Sequence, residues 1–524
     1  MDARTRSWWG WGWEESALSD EQCRSYGVLL PGLSDRPRVV PRVADLSLRP
    51  SRVGAPAALA SVLAHDAESR ASHAYGKSYR DVIRALVGDL ANPPDLVARP
   101  ADEADVVAVL DWAGSAGVVV VPYGGGSSVV GGVEYRGEQP WVSLDLTALD
   151  RVLELDPVSR AARIQGGALG PVIEDQLRPH GFTLRHFPQS FEFSSLGGWI
   201  ATRAGGHYAT LHTHIDDFVE SVRAVTPIGI NESWRLPGSG AGPSPDRMIL
   251  GSEGILGVIT EAWMRIQQRP EHRRSTSVAF ADATAAIGAV RRIAQSGVHP
   301  ANCRLLDPGE AGLSGASTTG DWVLVLGVES ADGPVDADMD RLVAMARSHG
   351  GVAADPGSGP RSDAAADAWR SSFLRMPYLR DGLARMAAIV ETFETATTWD
   401  RVEDLYRSVV DEVGAAITEI TGAAGLINCR FTHVYPDGAA PYFTVIAAGR
   451  RGSELAMWDE IKAASMEVLH RHRATVTHHH AVGRDHRPGY DRQRPEPFAV
   501  ALGAAKSALD PAGILNPGVL IGDG

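Results

Sequence analysis

Lysine is almost missing from this chain of 524 residues, and arginine carries nearly all of its 50 basic charges. With abundant alanine, glycine and aspartate, that bias suggests a GC-rich bacterial genome. The 64 acidic side chains outnumber the basic ones, leaving a formal net charge of −14. A surface of that sign argues against broad charge-driven binding of nucleic acid. Cysteine is scarce too. Cys23, Cys303 and Cys429 have neither metal nor redox spacing and read as thiols in a reducing cytoplasm. Long apolar runs are missing: none reaches the ~18 residues that a spanning helix needs. The amino terminus lacks the apolar core of a secretory signal. No repeat or low-complexity tract is visible. The length predicts two or three domains, and the content of 44% hydrophobic and 22% charged residues is that of a globular protein.

What is present is unevenly placed. SWWGWGWEES puts four tryptophans at positions 8, 9, 11 and 13. It reads as an aromatic anchor packed on the body of the protein; a membrane-surface contact makes sense if the substrate is a lipid. Residues 1–90 otherwise hold short helices and much proline. The spacing of Ala104, Val107, Leu110 and Trp112 predicts a helix over 102–116 that Gly117 ends. GVVVVP reads as a buried strand, and WVSLDL, RVLELD and ARIQGG as three more. LGPVIEDQLRPHG reads as a helix with Pro171 in its first turn and Gly181 after its end. From about residue 270 the alternation restarts as a second α+β unit, a sheet covered on one face by helices. Within it, residues 382–415 read as helical with a break near Thr398, and CRFTHVYP and PYFTVIAAG as paired strands.

Three segments are rich in small residues. PYGGGSSVVGG, residues 122–132, follows a buried strand, and its glycines let backbone N–H groups converge on an anion. It is not a Walker loop, since no lysine follows, and it is a poor Rossmann fingerprint. FPQSFEFSSLGGWIATRAGG (187–206) and GSEGILGVITEAWMRI (251–266) also let backbone approach a flat ligand closely. Three such segments suit an extended dinucleotide better than a single phosphate. Together with the terminal DPAGILNPG they resemble the FAD-binding domain of the vanillyl-alcohol-oxidase-type flavoproteins. Many members of that superfamily tether the flavin through histidine or cysteine. The glycine loop here has neither, so the resemblance implies non-covalent FAD. The implied fold class is α+β: a vanillyl-alcohol-oxidase-type FAD-binding domain plus an α+β cap. The expected boundaries are 1–90 for an N-terminal helical segment, 91–268 for the FAD domain, 269–480 for the cap and 481–524 for a tail returning to the FAD domain.

Two branches of that superfamily compete in the second half. D-2-hydroxyacid (D-lactate-type) dehydrogenases carry H-x-G-D-G-N and G-E-H-G-I-G segments that bind a divalent metal. At those places this chain has His433-Val-Tyr-Pro-Asp-Gly and His478-His479-His480-Ala-Val-Gly, which removes a hard carboxylate ligand. By contrast WGWGWEES, ANCRLLD, YLRD, TTWDRV, CRFTHVYPDGAAPYF and HHHAVG, in that order, resemble blocks of the alkylglycerone-phosphate synthases, the flavoenzymes of ether-lipid synthesis. That resemblance assigns roles. Pro122, Tyr123, Gly124, Gly125, Gly126, Ser127 and Ser128 line FAD. So do Gln189, Ser190, Phe191, Glu192, Phe193, Ser194 and Ser195, with Thr202, Arg203, Ala204 and Gly205. Glu253, Gly254, Ile255, Leu256, Gly257, Val258 and Ile259 complete the cofactor set. Arg380 binds the substrate phosphate, Arg304 supports activity, Tyr442 exchanges a proton, and His478, His479 and His480 are the functional histidines.

The residue types suit those roles. Arginine grips a phosphate monoester through parallel hydrogen bonds, and histidine accepts and returns protons near neutral pH. If the triplet is extended, His479 faces one way and its neighbours the other, with His479 as the base on the flavin side. A zinc site on the triplet is not expected, because adjacent histidines rarely face one ion and no third protein ligand is visible. In the family, acylated dihydroxyacetone phosphate loses a C1 proton, flavin N5 forms a covalent adduct, the carboxylate leaves and a long-chain alcohol adds. The resemblance also implies a homodimer; the cysteine usage points to the cytoplasm, and the tryptophan-rich start fits an enzyme that meets a membrane surface.

Overall fold

Asp102 accepts a hydrogen bond from the Asp105 N–H at 3.0 Å, and Gly117 adopts a left-handed conformation at φ 66°. Between that cap and that stop runs the helix Glu103–Ala116, as its spacing predicted. In the computed structural model of the chain, which describes residues 4–27, 30, 32–212, 214–353 and 364–522, this helix covers a four-stranded sheet. The strand Val119–Tyr123 pairs in parallel with Trp141–Asp145, which pairs in parallel with Leu96–Ala98. Leu63–Ala64 adds an antiparallel edge, so the segment read as helical also contributes a strand. The carboxy-terminal segment closes the other edge: Val120 N–H donates to Ile514 (2.8 Å) and Asn516 N–H to Val120 (2.9 Å). Held on both sides, Val119–Tyr123 delivers the glycine loop from a fixed point.

A second sheet of five antiparallel strands runs in the order Val152–Asp156, Ala161–Gln165, Val258–Arg265, Val219–Thr226, Gly229–Glu232. The segment 251–257 feeds its central strand. From residue 272 an antiparallel cap sheet takes over, in the order Val352–Ala353, His272–Phe280, Trp322–Ser330, Asn302–Leu306, Leu426–Val434, Gly438–Ala448, Ala388–Glu394. The helices Ala283–Ala294 and Asp336–Arg347 cover one face of it, around the fully buried Leu324, Leu326 and Met339.

One expected element is different. Residues 382–415 are not one broken helix. The helix Ala364–Arg385 ends, Ala387 turns at φ 65°, and Ala388–Glu394 forms a strand paired along its length with Gly438–Ala448. Helix resumes at Val402. Four of the five residues of the run Ile389–Phe393 are β-branched or aromatic, and pairing inside a buried sheet outweighs local helical preference. Phe393 then stacks on Phe443 at 5.1 Å.

The tryptophan segment is an anchor. Trp8, Trp9 and Trp11 are buried, and Trp11 and Trp13 meet Phe193 edge-on at 5.8 and 5.4 Å. Trp11 N–H donates to Asp381 at 2.5 Å, which ties the segment to the cap helix. No helix among the described residues is long and apolar enough to cross a membrane.

Candidate active site

A cavity of about 240 Å³ lies between the glycine loop and the cap sheet. Gly124, Gly125, Gly126, Ser127 and Ser128 form one wall, with Gln189, Ser190, Ser194, Ser195, Thr202, Ala204 and Gly205 beside them. The glycines are obligatory. A Cβ on Gly125 would sit 1.7 Å from the Phe193 carbonyl, and one on Gly124 2.1 Å from Ser195 Oγ. Gly126 needs its positive φ of 68°. Among the described residues, the N–H groups of Gly125, Gly126 and Ser127 meet no protein acceptor. Such donors, in a loop at the end of a parallel strand, fit the diphosphate of FAD. The segments predicted to hold that cofactor are therefore brought together, and FAD is the cofactor their family requires.

The remaining residues of that cofactor set support the wall from behind. Pro122 and Tyr123 end the strand. Phe191 stacks on Trp199, Phe193 meets Trp11 and Trp13, and Glu192 accepts from Trp13 Nε1 at 2.7 Å. Arg203 pairs with Asp216 at 2.7 Å. Ile255, Leu256, Val258 and Ile259 are core, and Gly254 packs on Pro122. Glu253 accepts the N–H groups of Val482 and Gly483, each at 2.8 Å, and burial pushes its carboxyl up to about 7.

The histidine triplet is built on a residue that the sequence reading missed. Glu394 ends the strand Ala388–Glu394 and is fully buried. Its carboxylate accepts the N–H groups of His478, His479 (3.0 Å) and His480 (2.7 Å), and the Thr477 hydroxyl (2.7 Å). Three successive amides turned onto one carboxylate bend the chain, so the triplet is not extended and its faces do not alternate. His479 and His480 both line the cavity, while His478 turns away toward His214, Tyr435 and His433. Burial raises a carboxyl, but the neighbouring imidazoles and amides outweigh it and hold Glu394 well below the usual carboxylate range. Burial pushes His479 and His480 down, and His478 down to about 3, so all three rings are neutral at pH 7.

Strand register explains how the other groups arrive. Glu394 lies opposite Tyr442, and Tyr442 opposite Arg430, so three strands present these side chains in one row. Arg430 sits over the Tyr442 ring at 3.8 Å and pairs with Glu310 at 2.8 Å. Burial raises the Tyr442 phenol, with Arg430 opposing. Arg304, from the neighbouring strand, is buried beside Arg430, and burial together with that charge lowers it to about 9. His479 stacks near Tyr442 with ring centres 6.2 Å apart. Arg380 lines the cavity from the cap helix, donating to Asp381 and to the Lys77 carbonyl (2.6 Å). Burial, with the charge of Arg6 added, pushes Lys77 down to about 8, against the opposing carboxylates of Asp381 and Asp81; of this charged cluster Arg380 is the member that lines the cavity. Met376, Leu379, Leu383, Val390 and Ile446 supply an apolar stretch.

His433, His478 and His479 bring three ring nitrogens within 4.8 Å of one another, and so do Glu394, His479 and His480 with their ligand atoms. The third ligand that the sequence reading did not find for adjacent histidines is supplied here by His433 or by Glu394. Both nitrogens of His478 also lie within hydrogen-bonding distance of other groups, Nδ1 of His479 Nδ1 and Nε2 of His214 Nε2 and the Tyr435 hydroxyl.

Comparison with known proteins agrees with this geometry. Residues 94–231 match a family model described as an FAD binding domain, and residues 269–520 one described as FAD linked oxidases, C-terminal domain. The chain is 31% identical to an alkyldihydroxyacetonephosphate synthase of Trypanosoma brucei brucei, over 87% of this chain and 78% of that protein. It is 30% identical to the Dictyostelium discoideum protein of the same name, over 94% and 86%. A solved structure of an alkyldihydroxyacetonephosphate synthase superposes with a TM-score of 0.81 at 27% identity, covering 98% of both chains. The chain belongs to the alkyldihydroxyacetonephosphate synthase family of FAD-dependent enzymes.

Proposed function

We propose that the protein exchanges the acyl group of an acylated dihydroxyacetone phosphate for a long-chain alcohol, releasing a carboxylate and forming an ether-lipid precursor. The observation that carries this reading is the meeting of the glycine loop, His479, Tyr442, Arg304 and Arg380 on one cavity. When bound along the glycine loop, non-covalently, FAD supplies an electron-poor ring system to that cavity. The protein does the rest. Arg380, with Arg6 and Lys77 near it, receives the phosphate dianion. The apolar stretch from Met376 to Ile446 receives the fatty chains. His479, neutral and held by its amide on Glu394, takes the proton from the substrate carbon. Tyr442 gives or accepts a proton at the exchanging oxygen, and the Arg304–Arg430 pair stabilises negative charge that develops there. The carbon–oxygen bond to the acyl group breaks, the alcohol oxygen forms its replacement, a proton returns to the substrate carbon, and the alcohol's proton leaves with the carboxylate. The result is redox-neutral.

The test is incubation of the yellow holoprotein with palmitoyl-dihydroxyacetone phosphate and hexadecanol. Equal amounts of palmitate and alkyl ether are expected, with no external electron acceptor. Anaerobic reduction of the flavin by D-lactate or D-2-hydroxyglutarate, with no ether formed, would replace this reading with a dehydrogenase.

A further inference from the structure

His478 commits its two ring nitrogens to different neighbours. Nδ1 lies 3.1 Å from His479 Nδ1. Nε2 lies 2.9 Å from the Tyr435 hydroxyl and 3.1 Å from His214 Nε2. That hydroxyl and His214 Nε2 also hydrogen-bond to each other. His214 comes from the FAD-binding side and its ring also bonds the backbone of Arg203. Tyr435 follows the strand Leu426–Val434 and also lines a second cavity, of about 570 Å³, beside the exposed Asp437 and Arg473. His479 lines the first cavity and spends Nδ1 on His478, which leaves Nε2 for a substrate. A line of hydrogen-bonding groups thus runs from the reaction cavity to Tyr435, a residue that also lines the second cavity.

We propose that His479, His478, His214 and Tyr435 form a proton relay, which takes the substrate's proton out of the reaction cavity and releases it to water in the second one. The relay rests on the reading of His479 as the base. Each transfer balances. His479 Nε2 takes the proton from the substrate carbon, and the proton on its Nδ1 passes to His478 Nδ1. His478 gives up its Nε2 proton to His214 Nε2. Tyr435 then takes that proton from His214 while its own hydroxyl proton goes to water. Each group gains one proton and loses one, so no imidazolium remains, and the same transfers run in reverse return a proton from water to the substrate carbon and restore the starting tautomers. That matters because a charged imidazole in so buried a place is costly. The charges facing the line are Glu394 behind the triplet, and Asp216 and Arg203 beside His214; the neutral His433 ring packs on His478 at 4.9 Å. His478, His214 and Tyr435 touch no substrate and act through His479.

The experiment uses holoenzyme with palmitoyl-dihydroxyacetone phosphate carrying deuterium at C1, and follows both label release to water and ether formation. Tyr435→Phe removes only the hydroxyl, and His214→Asn removes the acceptor. Each is expected to lower kcat about tenfold or more at unchanged KM, to slow label release by the same factor, and to enlarge the solvent deuterium isotope effect. Added imidazole should restore part of the rate to His214→Gly. If one variant loses its flavin, the other decides. Wild-type release of label with unchanged rates and isotope effects in the variants overturns the relay alone. So does a lower kcat with an unchanged isotope effect, which is the mark of a purely structural role. A wild-type protein that neither releases label nor makes ether overturns the relay together with the reading of His479.

Discussion

Replacing Glu394 by glutamine tests whether one carboxylate organises the triplet. Its two oxygens accept four hydrogen bonds, three from consecutive amides and one from the Thr477 hydroxyl. The glutamine oxygen can keep the place of Oε1, which takes Thr477, His479 and His480. The amide nitrogen then faces the His478 N–H, donor against donor. A hydrogen bond to a charged group contributes about 1.5–3 kcal/mol net, and a buried unsatisfied donor costs a further 1–3. A loss of about 2.5–6 kcal/mol follows, enough to lower Tm by several degrees. The N–H groups would splay, and a base displaced by about 1 Å loses roughly 10²-fold in rate. Thermal melting of the holoprotein and steady-state kcat are the measurements. Flavin content should stay near wild type, because Glu394 is not part of the glycine-loop wall. A variant that melts within a degree or so of wild type and turns over at the same rate would refute the claim.

Further outcomes follow from other parts of the site. Gly125→Ala should purify without flavin, because its methyl would overlap the Phe193 carbonyl 1.7 Å away; absorbance at the flavin band against protein reads this directly. Tyr442→Phe should retain flavin and lower kcat by about 10²–10⁴-fold if its hydroxyl moves a proton, and full activity would remove it from the mechanism. Acid should destabilise the fold early. His186, His478 and His486 are held neutral, each pushed down to about 3 mainly by burial. The unfolded chain binds their protons first, so stability is full above pH 6.5 and falls as the pH drops toward 3. Each ring removes about 1.4 kcal/mol per unit in that window. Urea melts at pH 7 and pH 5 measure it, and equal midpoints would contradict the assignment.

The glycine loop and the triplet were legible in sequence because their chemistry is contiguous: adjacent glycines must touch backbone, and adjacent histidines are rare. Glu394 was not. It lies inside a stretch read as helix, and only the sheet register sets it opposite Tyr442. Had Ile389–Phe393 been read as a strand, alternation would have placed Glu391 and Glu394 on opposite faces and raised the question of what each meets. Arg430 stood inside a quoted block without being singled out, because nothing local marks an arginine that a neighbouring strand will pair with a tyrosine. His214 lies 264 positions from its partner His478, and no spacing rule reaches so far. The first 90 residues were opaque for another reason. Their strand and their tryptophan contacts exist only against surfaces made by later segments.

Two acids from different domains grip the short strip that carries the base. Glu394 of the cap holds the amides of residues 478–480, and Glu253 of the FAD-binding side holds those of 482 and 483. The strip is a rivet through both layers, with one residue of slack at Ala481, whose φ is 76°. Any rocking of the cap must be absorbed there or passed straight to His479. Lengthening surface loops elsewhere should be harmless, whereas a single residue inserted between 480 and 482 would uncouple the two layers at the point where chemistry is done.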